Sequence, residues 1–190
     1  VSAGRYTLGI GMGNTPDDYP RFGIPAGARY ARFAESIEVI AGLLRDGRAV
    51  HDGEYVHMPE GELVLRGPRP SGPPILVGAG KPKMIGLAAR WADEWNWWSD
   101  DPADPAGRRE LVEKVDRACE EIDRDPASLR RSIDLFSIEP GDDAVISEQL
   151  LAWEALGFDE VRLNLRRPQG QSMADTIGAM TEVVARVHRG

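Results

Sequence analysis

The apolar positions of this chain change their period along its length, and the changes predict strands and helices in alternation. Residues 6–13 alternate between apolar side chains and glycines, which is typical of a strand. Residues 28–45 repeat apolar side chains at intervals of three and four, which predicts an amphipathic helix. Residues 75–77 are wholly apolar, the pattern of a strand that is buried on both faces. The further predicted elements are helices at 82–92, 111–122, 145–156 and 173–187 and strands at 94–98, 133–138 and 161–165.

Five strand–helix units therefore follow one another, and this order predicts an α/β fold with a parallel sheet and right-handed crossovers. Residues 49–72 interrupt the order, because short alternating pieces at 55–58 and 63–65 are broken by glycine and proline. We interpret this segment as an insertion that carries a small hairpin. Residues 1–190 are predicted to form a single domain. Two closures fit the five units: an open doubly wound sheet, or part of a barrel of eight units.

Composition and charge exclude several classes of function. The 190 residues include 31 acidic and 23 basic side chains, a net charge of −8. This balance argues against a surface for nucleic acid or for an anionic membrane, although a local basic pocket stays compatible with it. The longest apolar runs are well short of the roughly 20 residues of a membrane helix, and no secretory signal opens the chain. The single cysteine, Cys119, fits a reducing cytosol, so we expect a cytoplasmic protein with a small-molecule substrate. The three scattered histidines predict no metal site.

One loop carries the strongest candidate chemistry, because sites in α/β folds form where strands end and helices begin. It follows the strand at 75–77 and reads Gly78-Ala79-Gly80-Lys81, with Pro82 at the predicted start of a helix. The partial positive charge of a helix amino terminus stabilises an anion, and lysines at 81 and 83 would add charge. The loop lacks both the Walker motif and the third glycine of the dinucleotide motif. The loop motif alone therefore favours neither reading over the other: a phosphate site, or a plain Gly-Pro turn with solvated lysines.

Two further features are candidates for ligand contacts. Gly9, Gly11 and Gly13 share one face of the first strand, and glycines there usually reflect close approach of a backbone or a flat ligand. Asn96, near the end of the strand at 94–98, carries an amide that needs partners, and a ligand could supply them. We expect Cys119 to be a packed thiol rather than a nucleophile. The sequence assembles no Ser-His-Asp set and no catalytic carboxylate pair, so the catalytic residues stay unknown.

Three segments carry a family resemblance: GRYTLGIGMGNTPDDYPRFGIP at 4–25, RFAESIEVIAGLL at 32–44 and GPPILVGAGKPKMIGLAARWADEWNWW at 72–98. Together they resemble the bacterial luciferase-like monooxygenases, and the similarity is greatest to the branch that uses the deazaflavin coenzyme F420. The resemblance implies a (β/α)8 TIM barrel of luciferase-like type, incomplete here, with five strand–helix units present and the first three absent. The insertion at 49–72 would correspond to the family's insertion before its fifth strand.

The resemblance also implies a cofactor site. Its cofactor is F420, with FMN as the alternative; the ring would lie over the glycines of the first strand and the phosphate in the loop at 78–81. The implied cofactor-binding residues are Gly11, Gly13, Asn14, Gly78, Ala79, Gly80, Lys81 and Asn96. Two departures weaken the parallel. The family often has tryptophan where this chain has Asn14, and its acid–base residues come largely from the early strands.

Two hypotheses from different classes follow. In the first, the chain is the carboxyl-terminal part of an oxidoreductase that transfers a hydride between the cofactor ring and a small organic substrate. In the alternative, it is a non-catalytic partial barrel whose open edges pair with a second copy, because unpaired strand edges are costly. Both lead us to expect a homo-oligomer. An open nucleotide-binding sheet is less favoured, since neither glycine motif has its spacing.

Overall fold

The computed structural model describes residues 2–15, 17–138, 141 and 143–187. The chain divides into two compact units: Val1–Trp95 with Ala118–Leu129, and Asn96–Arg117 with Arg130–Gly190. The prediction of a single domain over 1–190 stays a prediction. The sequence also suggests a helix start at 15–17 and a loop at 139–141, and Pro16, Glu139 and Pro140 lie outside the described residues. No helix in the described part of the chain is long and apolar enough to cross a membrane.

The first unit is built on two parallel strands and their helices. Its elements are β1 (Leu8–Ile10), α1 (Asp18–Arg21), α2 (Arg29–Arg45), β2 (Arg48–Asp52), β3 (His57–Glu62), β4 (Ile75–Gly78), α3 (Pro82–Trp91) and the first two residues of β5 (Glu94–Ser99). β1 pairs in parallel with β4, and Ile10 is the register partner of Val77. β2 and β3 form an antiparallel hairpin that, except for Arg48, lies within the segment 49–72 predicted as an insertion.

The second unit continues the same alternation. It contains the rest of β5, most of α4 (Arg109–Glu120), β6 (Arg130–Ile138), α5 (Asp143–Ala155), β7 (Glu160–Leu165) and α6 (Met173–Val187). β6 pairs in parallel with β7, and Ile133 stands opposite Val161. Parallel strands joined by helices in both units confirm the predicted α/β class.

The core of the first unit fixes the end of β4 and the start of α3. Ile75 and Val77 of β4 are fully buried, as the wholly apolar run predicts. α3 buries one side of the helix almost completely, through Met84, Ile85, Leu87, Ala88 and Ala89. Because each fully buried aliphatic side chain stabilises the fold by about 1.5–3 kcal/mol, the short connection between these two elements is held at both ends.

Several element boundaries differ from the sequence prediction. β1 covers Leu8–Ile10 and not 6–13, and Gly13 has a φ of +74°, a left-handed conformation incompatible with a strand. The alternating pieces at 55–58 and 63–65 are not the two strands of the hairpin: these are β2 and β3, and only residues 57–58 of the first piece belong to β3. Ile122, predicted to continue the helix of α4, lies beyond its end and is exposed. Cys119 is fully buried, as predicted.

Candidate functional site

The junction between β4 and α3 has the form that the sequence predicts for an anion site. Gly78 ends β4, and Lys81 is the residue before α3, with an extended backbone at φ −99° and ψ 146°. Pro82 occupies the first helical turn, and no side chain caps this helix end. The amide N–H groups of Lys83 and Met84 therefore have no partner within the helix, and they carry its partial positive charge. This end of α3 suits a negatively charged group.

The loop of this junction is open at one residue and anchored at the next. A Cβ added to Gly78 would meet no atom within 4 Å, so the glycine leaves free space at the end of β4. Ala79 is buried, and its carbonyl accepts a hydrogen bond of 2.7 Å from Nε1 of Trp95. This bond holds the backbone beside the open position. Lys81 and Lys83 are both exposed at the same helix start and add positive charge.

The end of β1 stands next to this loop in the sheet of the first unit. Gly11 and Gly78 each follow directly after the registered pair Ile10 and Val77. A Cβ on Gly11 would also meet nothing within 4 Å, so two neighbouring strands end in open glycines. Their adjacency gives a shallow cradle of bare backbone at this edge, in which a flat or anionic group can approach closely.

Gly13 and Asn14 continue the loop after β1. A Cβ on Gly13 would lie 3.5 Å from the ring of Tyr19, and its left-handed φ already favours glycine. The hydroxyl of Tyr19 donates to the carbonyl of Met12 and ties the loop to α1. Asn14 is exposed, and its Oδ1 accepts a hydrogen bond of 3.1 Å from the Thr15 hydroxyl. The left-handed backbone at residue 13 therefore explains the glycine without any ligand.

Asn96 belongs to the second unit and has partners there. It is the third residue of β5 rather than an end residue, and its Nδ2 donates to Oγ of Ser132 at 3.1 Å. Nη1 of Arg162 donates to the same oxygen at 2.9 Å, and Ser132 is fully buried. The amide thus has a protein partner where the sequence argument invoked a ligand.

The structure brings together the predicted residues of the first unit, and it assigns Asn96 to the second. Gly11, Gly13 and Asn14 follow β1, and the predicted residues 78–81 follow β4, whereas Asn96 lies in the other unit. A role in cofactor binding stays a prediction for all of them. The cradle fits an anionic cofactor group, because both of its Cβ positions are open and the adjacent helix start is positive.

Sequence reasoning missed a carboxylate that holds the turn between β2 and β3. Glu35 of α2 accepts hydrogen bonds from the backbone N–H groups of Glu54, Tyr55 and Val56, at 3.1, 2.8 and 2.7 Å. Burial alone would raise the pKa of Glu35, but these three donors and the nearby His51 hold the pKa below its ordinary value. The only sequence signal is an acid on a largely apolar helix, because its partners are about twenty residues away.

A parallel sheet whose strands end in open glycines beside a positive helix start is typical of α/β enzymes that bind phosphorylated cofactors. The chain belongs to the luciferase-like monooxygenase family, whose family model matches residues 1–185. An uncharacterised protein of Mycobacterium bovis is 36% identical over 118 residues, which are 62% of this chain and 38% of that protein. The chain thus spans well under half the length of this curated relative.

Two solved structures share the fold. One is an F420-dependent secondary alcohol dehydrogenase in complex with an F420-acetone adduct, with a TM-score of 0.77 and 15% identity, over 97% of this chain and 70% of that one. The other is the coenzyme F420-dependent tetrahydromethanopterin reductase of Methanopyrus kandleri, with a TM-score of 0.77 and 17% identity, over 98% of this chain and 75% of that one. The family resemblance and the luciferase-like α/β barrel fold, present as five strand–helix units, are confirmed.

Proposed function

We propose that this chain binds coenzyme F420 at the ends of β1 and β4 and orients it for hydride transfer to or from a small organic substrate. The observation that carries the proposal is the start of α3, where an uncapped helix end lies next to the open Cβ position of Gly78. Such a place favours a phosphate close to the backbone. Membership of the family, and the two F420 enzymes with the same fold, support F420 as its source.

Five residues of the first unit have a part in this proposal. Gly11 and Gly78 leave room for the cofactor at the sheet edge, the N–H groups of Lys83 and Met84 hold its phosphate, and Lys81 supplies charge. Bound F420 would supply two-electron hydride chemistry at its ring, and the protein supplies binding and orientation. FMN is the alternative cofactor; its ring nitrogen supports oxygen activation, which would make the reaction a monooxygenation.

Titration of the purified chain with F420, and separately with FMN, followed by absorbance and fluorescence, tests the proposal. Gly78→Val should abolish binding, because the side chain fills the open space, and it should leave the far-UV circular dichroism unchanged. Gly67→Val is the matched control, since Gly67 also has nothing within 4 Å of a Cβ and lines a small pocket with Tyr6 and Pro73, which precede β1 and β4. Failure of the wild-type chain to bind either cofactor would overturn the proposal for this chain.

A second candidate function is self-association. Among the described residues, β1 pairs only with β4 in the first unit, and β7 pairs only with β6 in the second. An unpaired edge is a template for another strand, so we propose that copies of this chain assemble through these edges. Light scattering at several concentrations tests it. A well-folded monomer at every concentration would contradict this candidate and leave the cofactor proposal intact.

A further inference from the structure

A pocket of about 330 Å³ lies at the start of α2, in the first unit. Its walls come from the end of β1, the following loop, the first turns of α2 and the turn of the hairpin. The lining residues that matter here are Tyr19, Arg29, Arg32, Phe33, Ser36 and Tyr55. We name it the Arg29/Arg32 pocket. Its volume is at the lower end of the range of small-molecule sites.

The charge of this pocket is unbalanced. Its lining contains two arginines and no acidic residue, in a chain whose net charge is −8. Nε of Arg32 is buried and makes no hydrogen bond within the described part of the chain. Neither arginine forms a salt bridge with a described acidic residue. A buried guanidinium nitrogen without an acceptor is costly, and an anion in the pocket would supply one.

The obvious internal partner for Arg32 is already engaged. Glu35 lies one helical turn further along α2, the usual spacing for an ion pair. Its carboxylate instead accepts the three N–H groups of the hairpin turn. The arginine is therefore left facing the cavity while the acid holds the turn that forms the opposite wall.

The arginines are held in place by aromatic rings. The guanidinium of Arg32 stands 4.6 Å from the ring centre of Tyr55, and that of Arg29 stands 5.8 Å from Tyr19. Stacking orients a guanidinium and leaves its edge free for a carboxylate, which it can bind through two parallel hydrogen bonds. With Phe33 in the same lining, the walls also suit a flat apolar body.

We propose that the Arg29/Arg32 pocket binds the carboxylate of a small organic anion with a planar or apolar body, beside the phosphate cradle at Gly78 and sharing Gly11 with it. The carboxylate has two possible sources: a free acid, or the anionic tail of the cofactor. The second source rests on the proposed function. The tail is a compatible source because the start of α3, where the phosphate is proposed to bind, lies close to α2, which carries both arginines. Nζ of Lys83 in α3 is 5.4 Å from the ring centre of Tyr30 in α2.

Binding of benzoate to the purified chain, measured by calorimetry beside the neutral benzamide, tests the site directly. We expect benzoate to bind, benzamide not to bind, and Arg32→Met to weaken benzoate by about tenfold or more, as loss of a charge-assisted contact does. Arg90→Met is the matched control, because Arg90 also stacks on an aromatic ring, that of Trp91 at 5.3 Å, and is no part of the pocket. Arg29→Met is the second variant if Arg32→Met does not fold.

A parallel titration with F420 and with FMN, which keeps a phosphate and has no carboxylate tail, separates the two sources. Loss of F420 affinity in Arg32→Met, with FMN affinity unaffected, assigns the pocket to the tail. Unchanged F420 affinity with weakened benzoate assigns it to a free acid. If benzoate does not bind and both titrations are unaffected by Arg32→Met, the inference is overturned. That outcome differs from failure of the proposed function, in which wild-type chain does not bind F420.

Discussion

Nε1 of Trp95 donates a 2.7 Å hydrogen bond to the carbonyl of Ala79, and both residues are buried. The bond ties the loop after β4 to the beginning of β5. Because water has no access to the Ala79 carbonyl, loss of the donor leaves a buried acceptor without a partner. The geometry of the proposed phosphate cradle thus depends on a side chain that does not itself belong to it.

Replacement of Trp95 by phenylalanine is predicted to lower the free energy of unfolding by about 1–3 kcal/mol, the cost of an unsatisfied buried acceptor. It should also weaken F420 binding, since the loop backbone is freed next to Gly78. Urea unfolding and cofactor titration measure the two effects.

Trp153→Phe is the control for this prediction. Trp153 is equally buried, and its Nε1 donates to the carbonyl of Pro102 at 2.9 Å, in the second unit. The control should lose similar stability and keep the F420 affinity of the wild type. Equal loss of affinity in both variants would show that the Trp95 bond has no particular role at the cradle.

The Glu35 carboxylate predicts a dependence of stability on pH. Its pKa in the folded chain is lowered, so its contribution is present above the ordinary glutamate pKa of about 4.3 and is lost as pH falls through the folded pKa. Glu35→Gln should therefore be less stable than the wild type at pH 7. The difference between the two should shrink as the pH is taken below 4.3.

Urea unfolding of both proteins across this pH range measures the effect. Glu120→Gln, an exposed position of α4, is the control and should follow the wild type at every pH. If the free energy of unfolding of Glu35→Gln differs from that of the wild type by the same amount at every pH, the amide fits the site poorly and the charge of Glu35 is not the cause.

The lysines at the start of α3 predict a salt-dependent affinity. Both are exposed, so their attraction for a phosphate is screened over about 8–10 Å at physiological salt. The double variant Lys81→Gln, Lys83→Gln should bind F420 several-fold more weakly at low salt, and the difference should fade as salt is raised. Lys114→Gln on α4 is the control. A salt-independent loss would indicate that the lysines act by packing.

Local signals explain how much of the site could be read from the sequence. The junction at Gly78 was predicted almost to the residue, because an apolar run, glycines and Pro82 each determine their own backbone. Helix α2 was predicted equally well from its periodicity. The exact strands of the hairpin, by contrast, could not be located from the local pattern. Their turn is held by Glu35, a contact between residues about twenty positions apart that leaves no local pattern.

The Arg29/Arg32 pocket could not be predicted for a related reason. Arginines in a helix, like these two, are expected from sequence alone to have solvated side chains. Their distinction comes from Tyr55 and Tyr19, which are supplied by the hairpin turn and by α1. Only the folded chain shows that one of them has a buried nitrogen without an acceptor.

Gly53 gives the sharpest test of the hairpin turn. A Cβ there would overlap the Glu35 carboxylate and come within 2.5 Å of Nε2 of His51. The carboxylate cannot move aside without losing its three N–H donors, so Gly53→Ala should lower the free energy of unfolding by about 1–3 kcal/mol. The matched control is Gly86→Ala on the exposed side of α3, where a Cβ meets nothing within 4 Å. It should raise stability by about 0.5–1 kcal/mol through helix propensity.

Because the turn forms one wall of the Arg29/Arg32 pocket, Gly53→Ala should also weaken benzoate binding. A stable Gly53→Ala variant that binds benzoate normally would show that the turn can shift without cost, against the role given to Glu35.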